Sequence, residues 1–154
     1  MEHEQVNEDS SNPFVRYSPP AVDAVEAAFV LARQSGANSI EPIHILIGLV
    51  RDREGIVPQI LAAAHAQISA VQHDIEQLIA PMAPHTLSEL PFSASMRSML
   101  LGADREAKNT GALLTEPQHL FLALLIDADS PEARVLSKYG LDLDTARTLV
   151  ESIK

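Results

Sequence analysis

The chain repeats itself. Residues 18–79 slide onto residues 93–154 at a constant offset of 75 positions, without a gap. Ser18 falls on Ser93, Ala28 on Ala103, Ala32 on Ala107, Gly36 on Gly111 and Ala37 on Ala112. Glu41, Pro42 and His44 fall on Glu116, Pro117 and His119, while Leu49, Asp52, Leu61 and Glu76 fall on Leu124, Asp127, Leu136 and Glu151. A repeat constrains a fold strongly, because both copies must adopt one supersecondary unit and bury their apolar faces against each other. The domain layout follows: an acidic disordered tail over 1–17, repeat one over 18–80, a proline-containing linker over 81–92 and repeat two over 93–154.

Each repeat reads as four helices. Ser18 and Ser93 stand where an N-cap belongs, and Pro19 and Pro20 suit the first helical turn. Val22, Val25, Phe29 and Ala32 form one helical face in the first copy, and Met96, Leu100, Ala103 and Ala107 in the second. Gly36 and Gly111 end these helices. Pro42 and Pro117 open a second helix, placing Glu41 and Glu116 at the caps, where a carboxylate suits the positive end of the dipole. From Ile43 to Val50 that helix is apolar almost all round, which marks it as the buried centre of its repeat. A short third helix is expected near 56–64 and 131–139. The fourth carries Ile68, Val71, Ile75 and Leu78, matched by Leu143, Ala146, Val150 and Ile153. Nothing alternates with period two. The expected fold is all-α: two pseudo-twofold-related four-helix repeats, eight helices in all.

Composition narrows the function. The net charge is −10 and aromatic residues are 4% of the chain, with no Trp. A polyanion is repelled and base-stacking platforms are scarce, so nucleic acid and anionic membranes are poor partners. The longest apolar run, Leu120 to Ile126, is far short of the ~20 residues of a membrane span. The acidic N-terminus lacks the basic start and apolar core of a secretory signal, so a cytoplasmic location is expected. There is no Cys, no phosphate-binding G-x-x-x-x-G-K-[ST], no G-x-S-x-G and no H-E-x-x-H. Neither catalysis nor a cofactor is expected, and no two of the six histidines have metal-ligand helical spacing.

The candidate partner-binding residues are those the duplication keeps at the polar ends of its motifs: Arg33, Glu41, His44, Lys108, Glu116 and His119. Each has a structural explanation too. A histidine in a first helical turn caps backbone, and a cation in a last turn meets the negative end of the dipole. Two functions stay open: a protein-interaction module, or a small-ligand or metal-responsive sensor in which the paired His-bearing motifs are the detector.

The residues Ala28-Ala32-Gly36, Pro42-Ile43-His44 and Ile45 to Val50, with their copies Ala103-Ala107-Gly111, Pro117-Gln118-His119 and Leu120 to Leu125, resemble the Clp N-terminal repeat domain. The resemblance covers about 18–154. It implies an eight-helix domain that receives substrate proteins and docks adaptors in the Clp chaperone and protease system. Met1 and the acidic lead-in favour a free-standing member over an excised N-domain. Two departures stand out. Members of that family that recognise phosphoarginine carry Glu immediately before the motif histidine, where this chain has Ile43 and Gln118. The resemblance therefore implies weak phosphoarginine binding. His65 stands where the second copy has Gly140, so the turn after the third helix of repeat one is expected to be altered, or that helix to run longer.

Overall fold

A computed structural model describes residues 14–79 and 89–153. Its helices are α1 Pro19–Gln34, α2 Pro42–Arg51, α3 Ile56–Ala63 and α4 Ile68–Glu76, then α5 Ala94–Asn109, α6 Pro117–Leu124, α7 Pro131–Ser137 and α8 Leu143–Ile153. No strand forms among the described residues. The Ser18 hydroxyl accepts from the Ala21 N–H at 3.3 Å, and Ser93 from Met96 at 3.0 Å, so both first helices are capped as their sequences dictate.

The centre is the pair α2 and α6, which pack on each other. Ile45, Leu46, Ile47, Leu120 and Phe121 are sealed from solvent there. Each such side chain contributes about 1.5–3 kcal/mol of hydrophobic stabilisation. Around this pair the repeats clasp reciprocally: α3 packs on α8 as α4 packs on α7, and α1 on α6 as α5 on α2. Each repeat thus supplies what the other lacks.

The reciprocity extends to single hydrogen bonds. Thr115 N–H donates to the Arg16 carbonyl at 2.8 Å, and Ser18 N–H to the Thr115 carbonyl at 3.0 Å. Seventy-five residues away, Ile40 N–H donates to the Pro91 carbonyl at 2.8 Å, and Ser93 N–H to the Ile40 carbonyl at 3.2 Å. These isolated bridges tie the segment before each first helix to the turn before the other repeat's second helix.

Three expectations need correction. The acidic tail does not extend to residue 17: Phe14 packs edge-on against Tyr17 at 5.0 Å and Phe92 at 5.9 Å, and Tyr17 is buried. Aromatic contact across the repeats holds this stretch, so only the part of the expected tail over 1–13 lies outside the described residues. Similarly, the linker expected over 81–92 already has Phe92 in a bridge, and 80–88 lie outside the described residues. The buried stripe of α1 is Ala21, Val25, Ala28 and Ala32; Val22 and Phe29 are only half-buried. Small residues face α2 because the two helices cross closely.

The turn at His65 keeps its shape. His65 itself takes the left-handed conformation, φ 61°, where Gly140 has φ 81°. The Ala66 N–H reaches the Leu61 carbonyl at 2.9 Å, as Leu141 reaches Leu136 at 3.1 Å, so both third helices end in the same reverse-turn motif. The turn is not altered, because the histidine adopts the glycine's backbone; α3 runs one residue further than α7 at the 75-residue offset.

Candidate functional site

The duplicated Glu-Pro-x-His motif builds a cap of its own. The Glu41 N–H donates to Nδ1 of His44 at 2.9 Å, and the Glu116 N–H to Nδ1 of His119 at 2.9 Å. Proline at the first helical position brings the third helical residue back over the cap, where its imidazole satisfies a backbone donor, as Glu or Gln does in a capping box. An acceptor Nδ1 requires a lone pair, so each ring is the neutral form with its proton on Nε2. Both rings are 2% exposed. Burial pushes the pKa of His44 down, with the Glu41 charge opposing.

This revises the candidate list. His44 and His119 are structural caps withdrawn from the surface, and their burial gives no support to a sensor built on them. Among the described residues, no group of three or more His, Asp or Glu is arranged to hold a metal ion. Arg33 is half-buried over the Phe29 ring, 5.8 Å from its centroid. Lys108 is exposed and lines a small depression with Val15, Arg16, Leu113 and Leu114. Glu116 is half-buried at the start of α6. The six candidates therefore do not converge. Glu41 alone of them lines a larger cavity.

That cavity is an open groove of about 740 Å³ between α5, the α6–α7 turn and the start of α2. Its volume falls in the ~300–1,000 Å³ range of ligand-binding clefts. Met99, Gly102, Ala123 and Leu124 supply small and apolar lining. Ile126 stands at the lip, 44% exposed. Leu101, 63% exposed, lies one helical turn from the lining residues Ser98 and Arg105 and so shares their side of α5. Glu41, Asp127, Asp129 and Glu132 bring carboxylates, against Arg105 as the single base of the lining. The Ser39 hydroxyl donates to the Glu41 carboxylate at 2.7 Å and fixes its position.

Glu132 is the unusual member. It is 8% exposed. Burial pushes its carboxyl pKa up, hydrogen bonds from its own backbone and Ser130 oppose this, and the charges of Glu41 and Asp127 add to the rise. A buried carboxylate beside like charges is costly unless something compensates it. Sequence reasoning missed the groove because its walls come from three separated segments. One sign was available: Glu132 aligns with Val57, an exchange of apolar for charged between the copies.

Comparison with known proteins places these features in context. The family model for the Clp repeat (R) N-terminal domain matches residues 16–139 and 91–153. An ATP-dependent Clp protease ATP-binding subunit ClpA homolog of Guillardia theta is 28% identical over 137 residues, 89% of this chain and 17% of the relative. The chain thus spans about a sixth of the length of the curated relatives it matches. Among solved structures, the Hsp104 N-terminal domain from Candida albicans has a TM-score of 0.73 at 18% identity, covering 86% of this chain and 87% of that one. A structure named as a peptide from the EAEC T6SS Sci1 SciI protein has a TM-score of 0.70 at 19% identity, covering 90% and 89%.

Proposed function

The chain belongs to the Clp repeat (R) N-terminal domain family, and from that premise we propose that it is a non-enzymatic protein-interaction module of the Clp chaperone and protease system. It receives segments of substrate proteins, adaptors or the Clp machine itself, and does so in the cytoplasm. The observation that carries this reading is the 740 Å³ groove with Ile126 left exposed on its lining, and Leu101 exposed on the same helix as Ser98 and Arg105. Apolar side chains held open beside a cleft mark a surface that a partner covers. A similar fold named for a peptide of SciI lends support. Among the described residues no helix is long and apolar enough to cross a membrane, and the net charge of −10 works against nucleic acid.

The test is affinity capture from the source cell, with the chain as bait. Clp ATPase or peptidase subunits are expected on the wild-type bait and absent from Ile126→Arg, which installs the residue repeat one carries at Arg51. The second arm reverses charge at Arg33 and Lys108. If that pair abolishes capture while Ile126→Arg does not, the interaction surface lies at the ends of α1 and α5 instead of the groove.

A further inference from the structure

The duplication supplies an internal control. Where the copies differ, one of them shows what the fold needs at that position without the other's residue. Applied to the groove, the comparison is specific. Glu132 is buried at the place where repeat one buries Val57. The architecture accepts a valine there; in repeat two the carboxylate sits in the first turn of α7 and accepts hydrogen bonds from its own backbone and from Ser130, where repeat one has Gly55. Ile126 stands where repeat one has Arg51, an exposed cation paired with Glu76 at 3.0 Å. Leu101 stands where repeat one has Glu26. Relative to repeat one, repeat two thus carries aliphatic Ile126 and Leu101 in place of charged residues, and a carboxylate in place of a valine.

Those exchanges define a ligand. An inner acidic end and an outer aliphatic lip match a cation joined to an aliphatic group. We propose that the groove receives a basic segment of a partner protein, an arginine or lysine side chain entering between Glu41, Asp127 and Glu132 while an aliphatic neighbour rests on Ile126 and Leu101. The inference rests on reading the groove as a protein-binding site and adds the chemistry of the occupant. Charge complementarity selects this occupant: four carboxylates face one base on the lining, in a chain of net charge −10. A cation among those carboxylates offsets the repulsion between Glu132 and its acidic neighbours Glu41 and Asp127. Among the described residues these carboxylates do not form a group arranged to hold a metal ion. A second copy of this chain would bring another excess of acid and is disfavoured on the same ground.

The experiment uses two short fluorescein-labelled peptides in a serine–glycine background, one with an arginine between two leucines and one with citrulline in place of the arginine. Citrulline keeps the shape and removes the charge. The arginine peptide is expected to bind about tenfold more tightly at low salt, the worth of one charged hydrogen bond. Glu132→Gln should bring the ratio close to one. Glu132→Val is the second variant, because repeat one already folds with valine there, and unchanged circular dichroism checks that both variants are intact. Equal binding of the two peptides, with amide shifts at Ala123 and Ile126, would overturn the cationic specificity and leave the groove reading standing. No shift at those residues with either peptide would overturn both. Groove shifts that grow with protein concentration alone would assign the surface to a second copy and overturn the proposal.

Discussion

Gly48 on α2 faces Ala27 on α1 so closely that a methyl group placed on the glycine would stand 3.7 Å from the alanine Cβ. In the second repeat the residue types are exchanged: Gly102 lies on α5 and Ala123 on α6, with a methyl on Gly102 standing 3.6 Å from the Ala123 Cβ. Each crossing thus uses one glycine and one alanine. The separation at Gly48 is ordinary van der Waals contact, so space is not what requires a glycine there. Gly48→Ala should stabilise the protein by about 0.5–1 kcal/mol, the helix-propensity difference. Gly102→Ala should gain less, because its methyl would meet Cδ1 of Ile126 at 2.9 Å and displace that side chain. Chemical denaturation of the two variants measures both effects; a loss above ~1 kcal/mol for Gly48→Ala would contradict this account of the crossing.

Arg147 on α8 grips the buried Glu106 on α5 through two hydrogen bonds, 2.6 Å and 3.2 Å, while remaining 44% exposed itself. Repeat one has Gln72 and Leu31 at these positions. Arg147→Gln alone strands a buried carboxylate and should cost about 1–3 kcal/mol, reduced from the fully buried case because solvent reaches the arginine. Adding Glu106→Leu should recover most of that loss. A double-mutant cycle by urea unfolding reads the coupling, and strictly additive losses would refute it.

His65 holds a left-handed backbone that costs a non-glycine residue about 1–2 kcal/mol. His65→Gly removes that cost but adds freedom to the unfolded chain, worth about 0.4–1 kcal/mol. The net expectation is a gain of up to ~1 kcal/mol, read as a rise of a few degrees in Tm. Gly140→Ala should move stability the other way by a similar amount, since φ there is 81°. Changes of the same sign at the two sites would show that the two turns are not equivalent.

The lowered pKa of His44 fixes a pH response. Its folded value lies below the unfolded value of about 6.5, so its contribution is complete above that pH and is lost as pH falls through the folded value. Protonation would also destroy the acceptor that holds the Glu41 N–H. The raised pKa of Glu132 acts oppositely: its contribution is complete below the unfolded value and lost as pH rises through the folded one. The two are separated by comparing Tm at pH 7.5 and pH 5.5 for the wild type and His44→Gln. Glutamine can still accept from the cap but does not titrate, so its drop should be smaller. His44→Ala should cost about 0.5–2 kcal/mol at neutral pH, as cap removal does.

Free phosphoarginine should bind weakly. Ile43 is buried and offers no hydrogen bond, and Gln118 offers a neutral one. Loss of a charged hydrogen bond costs about 1.5–3 kcal/mol, roughly ten- to more than a hundredfold in affinity. Calorimetry should give no low-micromolar dissociation constant; obtaining one would direct attention to Glu41→Gln and Glu116→Gln.

What the sequence determined by itself was everything set by short-range chemistry and by repetition. Ser18 and Ser93 placed the starts of the first helices, Gly36 and Gly111 their ends, and the apolar residues that dominate Ile43 to Val50 the buried centre. The offset was a better guide than periodicity within one copy: Met96, Leu100, Ala103 and Ala107, shifted by 75, give the true stripe Ala21, Val25, Ala28 and Ala32. Alanine carries too little hydrophobicity to mark a face, so the larger Val22 and Phe29 dominate the apolar periodicity although they lie beside the buried stripe. Tertiary structure alone decided the rest. Proline, glutamate and histidine announced a motif, but packing of α2 and α6 took the imidazoles out of solvent and made them caps. The groove exists only because α5, the α6–α7 turn and the start of α2 converge. Whether Glu132 is solvated or buried is likewise a property of what folds over it, since desolvation depends on every neighbouring atom and not on the residues adjacent in the chain.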